Sequence, residues 1–188
     1  RKQGRQFSYK WPMYFLVAAS FWNFLGAGIF GFLINLPIIN FYEHGTYLTM
    51  HHGHTAMFGT YCMLSVALLL VSWRGLVEMQ YWKDGILKLS FWGLNGGLFL
   101  MAFGTLLPVG LIQTWIAFKE GYWVARSADF FEKGIIVFLG TFRAIPDVII
   151  IALGVVPLAY FLITTYPHLK AAEIKDGESV WERLGIEL

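Results

Sequence analysis

Charge and cysteine are both scarce in this chain. Charged residues make up 14% of its 188 positions, and Cys62 is its one cysteine. A single cysteine excludes a disulfide framework, and no C-x-x-C-H run is present to attach haem covalently. The opening residues, Arg1 to Lys10, are polar and basic, so no secretory signal peptide is read there. The chain does not start with methionine, and the expectation is a piece of something longer. In place of charge there is apolar surface: 57% hydrophobic and 18% aromatic residues, a composition outside that of soluble domains. The formal net charge of +2 says little about partners, and no nucleic acid is expected among them.

A bilayer core needs about 20 apolar residues per helix. Four stretches satisfy this, at roughly 11–39, 47–73, 89–118 and 146–166. The expected fold is therefore an all-α membrane protein with four transmembrane helices, a lead-in at 1–10 and a tail at 167–188. With the amino terminus inside, Arg1, Lys2, Arg5, Lys10, Arg74, Lys83, Lys88, Lys170, Lys175 and Arg183 fall on the cytoplasmic side. Lys119, Arg126, Lys133 and Arg143 fall outside. That excess satisfies the positive-inside rule and places both ends of the chain in the cytoplasm. Trp11, Tyr42, Trp73, Trp82, Trp115, Trp123 and Tyr166 lie near the expected helix ends, as interfacial anchors.

Within the first helix, Gly26-Ala-Gly28-Ile-Phe-Gly31 has the letters of a dinucleotide fingerprint. That motif needs a preceding strand and a βαβ unit, and here its glycines sit in a spanning helix, where small residues serve close packing. Gly93, Gly97 and Gly104 form a similar face in the third helix, and Pro108 is expected to kink it. Residues 119–145 form the longest polar excursion. Ala128 to Phe142 reads as an amphipathic surface segment, with Pro146 opening the last helix and Asp147 near its positive end. The alternative is a longer helix from Gly134 that buries Arg143, pairing it with Asp147 at i+4.

The chemistry concentrates in His51-His52-Gly53-His54, just inside the second helix. Intramembrane histidine is costly and calls for a partner. On a helix, His52 and His54 diverge by about 200° while rising only about 3 Å. One metal ion is poorly served by that spacing, since single-site helical pairs use i, i+3 or i, i+4. Two cofactors on opposite sides fit it, and Gly53 lets flat macrocycles approach the backbone. Structural histidines and a proton relay are the competing readings. Axial haem ligation suits neutral imidazole in an electron-transfer protein. His51 stands as an alternative to His52 if the helix is rotated.

Three runs carry a resemblance: Asn35-Leu-Pro-Ile, Tyr42-Glu43-x-Gly45-Thr46-x-Leu48-Thr49 and His52-Gly53-His54-x-Ala56. They are similar to the tenth-helix region of bacterial nitric oxide reductases, in the haem-copper oxidase superfamily. Phe91-Trp92-x-x-Asn95, Leu107-Pro108-Val-Gly110, Gly121-Tyr-Trp123-x-Ala125-Arg126-Ser127 and Arg143-x-x-Pro146-Asp147 resemble the same family's last two helices and their loop. The four helices would then correspond to the last four of a haem-copper oxidase-like bundle. The tyrosine-glutamate run looks more like the quinol-dependent branch than the cytochrome c-dependent one.

The resemblance implies roles. His52 would ligate high-spin haem b3 iron and His54 low-spin haem b iron, while Arg126 and Arg143 would meet haem propionates or, equally, lipid headgroups and solvent. The family joins two nitric oxide molecules into nitrous oxide and water, using electrons from quinol or cytochrome c. It works in a bacterial or archaeal cytoplasmic (inner) membrane. Its non-haem iron is held by histidines and a glutamate on earlier helices, and none of these match here. The remaining upstream helices of the same subunit are thus implied partners, with nitric oxide and the bilayer, and the isolated chain is expected to be inactive. The rival readings are an oxygen-reducing terminal oxidase, an electron-passing di-haem cytochrome, and a haem-free transporter or scaffold.

Overall fold

The computed structural model describes residues 9–169, so most of the lead-in and of the tail lies outside the described residues. Four helices are long and apolar enough to cross a bilayer: Lys10–Asn35, Tyr47–Leu76, Asp84–Glu120 and Gly134–His168. They are called here the first to fourth spans. No strand occurs among the described residues, only an isolated bridge between Val77 and Leu169. The fold is all-α.

The ends of the first and third spans depart from the sequence expectation, each for a local reason. The first span stops at Asn35 because Pro37 disfavours helical geometry at the residue before it. Leu36 is accordingly extended, at φ −70° and ψ 124°, and a separate helix, Pro37–Glu43, follows. The third span contains Pro108: Ala102–Leu106 winds with i→i+5 bonds just before it, and the next turn takes the proline at its start. Gly121, at φ 110°, then ends this span in a conformation that favours glycine.

The largest correction concerns residues 128–146. Only Ala128–Phe131 forms a short separate helix, capped by Ser127, whose Oγ accepts from the Phe130 N–H at 3.2 Å. The fourth span begins at Gly134, as in the longer-helix alternative, so Gly134–Phe142 belongs to the span. Asp147 thus lies within this span, in the first turn of its segment Ala144–Ile149.

The spans pack through small residues, as expected where lipid leaves little hydrophobic drive between helices. A methyl built on Gly93 would meet the Leu153 carbonyl carbon at 2.2 Å, and one on Gly97 the Ile150 side chain at 2.5 Å. These two glycines seat the third span on the fourth. Gly110 does the same against Leu48 of the second. Around these contacts lies a core of Phe15, Trp22, Met63, Leu70, Leu98 and Phe161. Trp11, expected as an interfacial anchor, is buried at 4% exposure with its ring near Phe91.

Hydrogen bonds tie the spans together at about 0.6 kcal/mol each. Trp22 Nε1 donates to Asn95 Oδ1 at 2.9 Å, Ser90 Oγ to the Gly154 carbonyl at 2.8 Å, and Trp73 Nε1 to Thr165 Oγ1 at 2.8 Å. Outward surfaces remain apolar: Phe24, Met57 and Ile163 are two-thirds exposed or nearly so, as suits hydrocarbon.

Candidate haem-ligand site

The second span starts from a turn built to hold it. Gly45 adopts φ 73°, Thr46 caps the helix by accepting from the Leu48 N–H at 3.2 Å, and its hydroxyl donates to the Glu43 carbonyl. Buried Gln113 of the third span reaches across, accepting the Tyr47 N–H at 2.9 Å and donating to the Ala125 carbonyl at 2.8 Å. Orphan groups at a helix start are thereby satisfied from a neighbouring element. Nothing in the sequence distinguishes Gln113, since one amide in an apolar helix has no pattern.

Within this helix the three histidines part company. His52 faces the first span: its Nδ1 lies 2.9 Å from the Gly26 carbonyl oxygen, and a methyl on Gly31 would touch its ring at 3.0 Å. Gly26 itself sits on the Thr55–Ala56 backbone, where a methyl would come within 2.5 Å. Gly28 is exposed. The glycine motif is a packing face made of Gly26 and Gly31.

His54 faces the third and fourth spans. Its Nδ1 lies 2.8 Å from the Met50 carbonyl one turn back, and it opens onto a cavity of about 380 Å³. Phe58, Leu98, Met101, Ile150 and Ile151 wall that cavity, with Asp147 as its one other polar residue. Arg143 Nη2 lies 3.4 Å from His54 Nε2, and no Arg143–Asp147 ion pair forms at i+4. The structure thus joins His54, Arg143 and Asp147. Asp147 reaches this cavity from the first turn of Ala144–Ile149, within the longer fourth span.

His51 is enclosed at 0% exposure between Phe30 and Phe103, at centroid distances of 4.3 and 5.5 Å, with neither ring nitrogen hydrogen-bonded. Such a ring offers no face to a macrocycle. Arg126 occupies a different setting in the loop. It donates to the His44 and Tyr122 carbonyls and stacks on the Tyr122 ring 3.3 Å from its centroid. Glu43, just outside the spans, is 2% exposed with one carboxyl oxygen unpartnered, and burial pushes it up to about 7.

The donor set fits haem iron. A carbonyl oxygen only accepts, so the Nδ1 of His52 and of His54 carries the proton and each Nε2 keeps its lone pair. Arginine only donates, so the Arg143 contact requires the same tautomer at His54. Holding the far nitrogen in this way orients a ligating imidazole and raises its basicity. No cluster of three or more metal-binding side chains occurs among the described residues.

The chain is 32% identical over 117 residues to a nitric oxide reductase polypeptide of Stutzerimonas stutzeri, an alignment taking in 53% of this chain. It spans only 23% of that relative's length. The family profile described as Cytochrome C and Quinol oxidase polypeptide I matches residues 3–168, which include all four spans and all three histidines of the second. This chain belongs to that family, the membrane-embedded haem-copper oxidases.

Proposed function

We propose that this chain is the haem-holding part of a respiratory nitric oxide reductase. His52 ligates the high-spin haem b3 and His54 the low-spin haem b, on opposite sides of one helix. The observation supporting this most directly is the pair of Nδ1 contacts, to the Gly26 and Met50 carbonyls, which turns the two Nε2 atoms outward on diverging faces, that of His54 toward Arg143. When bound, the haems supply one-electron chemistry at iron, whose potential is set by the surrounding protein.

The chain's own residues do the rest. Gly26 and Met50 hold the imidazoles in the ligating tautomer. Phe58, Leu98 and Met101 keep water from the His54 face. Arg143 brings a positive charge to that face, suited to a haem carboxylate. Upstream helices of the same subunit would contribute the non-haem iron ligands and the second axial histidine of the low-spin haem. Two nitric oxide molecules, two electrons and two protons would give nitrous oxide and water. Both ends of the chain would face the cytoplasm, with the histidines toward the outer leaflet.

The test is an optical spectrum of the reduced full-length protein with and without carbon monoxide. His52→Ala is expected to lose the carbon monoxide-sensitive high-spin haem and His54→Ala the low-spin haem. Retention of both haems in both variants refutes the ligand assignment. Anaerobic consumption of nitric oxide with a quinol or reduced cytochrome c tests the reaction and identifies the donor. Oxygen uptake without nitric oxide consumption would transfer the chain to the terminal oxidases.

A further inference from the structure

The carboxylate of Asp147 has no hydrogen-bond or ion-pair partner among the described residues, although it lies in a membrane-spanning helix. Uncompensated charge at such a depth is costly and marks a functional position. Arg143, one turn earlier, is the nearest cation in sequence, yet its Nη2 is turned to His54 Nε2. The carboxylate instead shares the cavity that His54 opens onto, and the other walls of that cavity are apolar. Asp147 is half-buried, and on its cavity side the aliphatic and aromatic lining offers no countercharge.

We infer that Asp147 sets the reduction potential of the haem held at His54. The inference rests on His54 being the ligand of that haem. Reduction adds one electron to the ferric iron and removes one positive charge from the site. A fixed negative charge nearby favours the ferric form and lowers the potential, with an effect that grows as the local dielectric falls. Asp147 acts through the field at the haem and donates no ligand. Arg143 acts in the opposite sense, so the two residues, one turn apart, bracket the potential from both sides.

The experiment is a spectroscopic redox titration of the haem-loaded, full-length protein at one fixed pH. Asp147→Asn, nearly isosteric, is expected to shift the low-spin haem equilibrium at least fivefold toward the reduced form, about 40 mV for one electron. Its low-spin spectrum is expected to stay unchanged, because no ligand is touched. Asp147→Glu keeps the charge and is expected to stay within twofold of the parent. A smaller shift in the asparagine variant, or a shift toward the oxidised form, overturns the inference. If that variant fails to bind haem, Ile151→Asp supplies the second measurement: a carboxylate added to the same wall must lower the potential, and an unchanged or raised value is fatal to the idea. Loss of the parent reading has its own signature, a low-spin haem that survives His54→Ala.

Discussion

Gly26→Ala tests whether the packing of the first span controls His52. A methyl at this position would lie 2.5 Å from the Ala56 nitrogen and the Thr55 carbonyl carbon, and 2.8 Å from Thr55 Oγ1. Carbon contacts are comfortable from about 3.5 Å, so the two backbones must separate by roughly 1 Å. That movement takes the Gly26 carbonyl away from His52 Nδ1, now 2.9 Å distant. Overpacking costs about 1–3 kcal/mol and the lost hydrogen bond about 1 kcal/mol, together about 2–4 kcal/mol. Gly28→Ala is the control, since its methyl would meet nothing closer than the Asn23 carbonyl oxygen at 3.7 Å. Both substitutions share the same gain in helix propensity, so their difference isolates the contact. Thermal unfolding in detergent is expected to show Gly26→Ala well below Gly28→Ala. Equal stability of the two would refute the packing argument.

The third span provides a parallel pair. Gly93→Ala would drive a methyl to 2.2 Å from the Leu153 backbone, whereas Gly96→Ala meets nothing within 4 Å. A loss of about 3 kcal/mol or more is expected for the first and none for the second, read in the same melts. Gln113→Ala leaves the Tyr47 N–H and Ala125 carbonyl without their partner, at a cost of about 2 kcal/mol or more, and slower amide exchange at Tyr47 than in the parent would contradict this. Glu43 gives a pH dependence. Burial raises its carboxyl from 4.5 to about 7, so the folded state takes up a proton across that window. Its contribution to stability is full below pH 4.5 and is lost as pH rises through 7. Glu43→Gln is therefore expected to match the parent at about pH 4 and exceed it by about 3 kcal/mol at about pH 8. A constant difference at all pH values would show that the carboxyl does not titrate there.

The sequence made visible what helix geometry determines locally. His52 and His54 diverge in the structure, toward the first span and toward the third and fourth, because two residues on a helix cannot do otherwise. Gly26 and Gly93 were legible as packing positions for a similar reason: a residue without a side chain in an apolar helix has few other uses. What stayed hidden depends on contacts distant in sequence. Arg143 and Pro146 argue for a span beginning at 146, since a charge and an imino acid both suit a helix start. The span instead begins at Gly134, with a turn at Arg143 between Gly134–Phe142 and Ala144–Ile149, and Arg143 is met by His54 on another span. The Gly26 carbonyl that accepts from His52 had no signature at all, because every residue carries a carbonyl.

The two imidazoles are anchored in different ways, and this separates their fates. His52 leans on a neighbouring span through Gly26, whereas His54 leans on its own helix through Met50. Moving the first span by roughly 1 Å therefore strips the orienting contact from His52 and leaves that of His54 intact. Beyond His54 the helix winds with i→i+5 bonds over His54–Cys62, so the packing of Thr55 and Ala56 against Gly26 lies in the looser part of the helix. A strain introduced there is taken up locally before it reaches the first turn, where Met50 sits. Under the ligand assignment proposed above, Gly26→Ala is expected to weaken the carbon monoxide-sensitive haem while the low-spin spectrum persists. Simultaneous loss of both would mean that the helix responds as one rigid body, and the separation of the two sites would have to be sought outside their anchoring carbonyls.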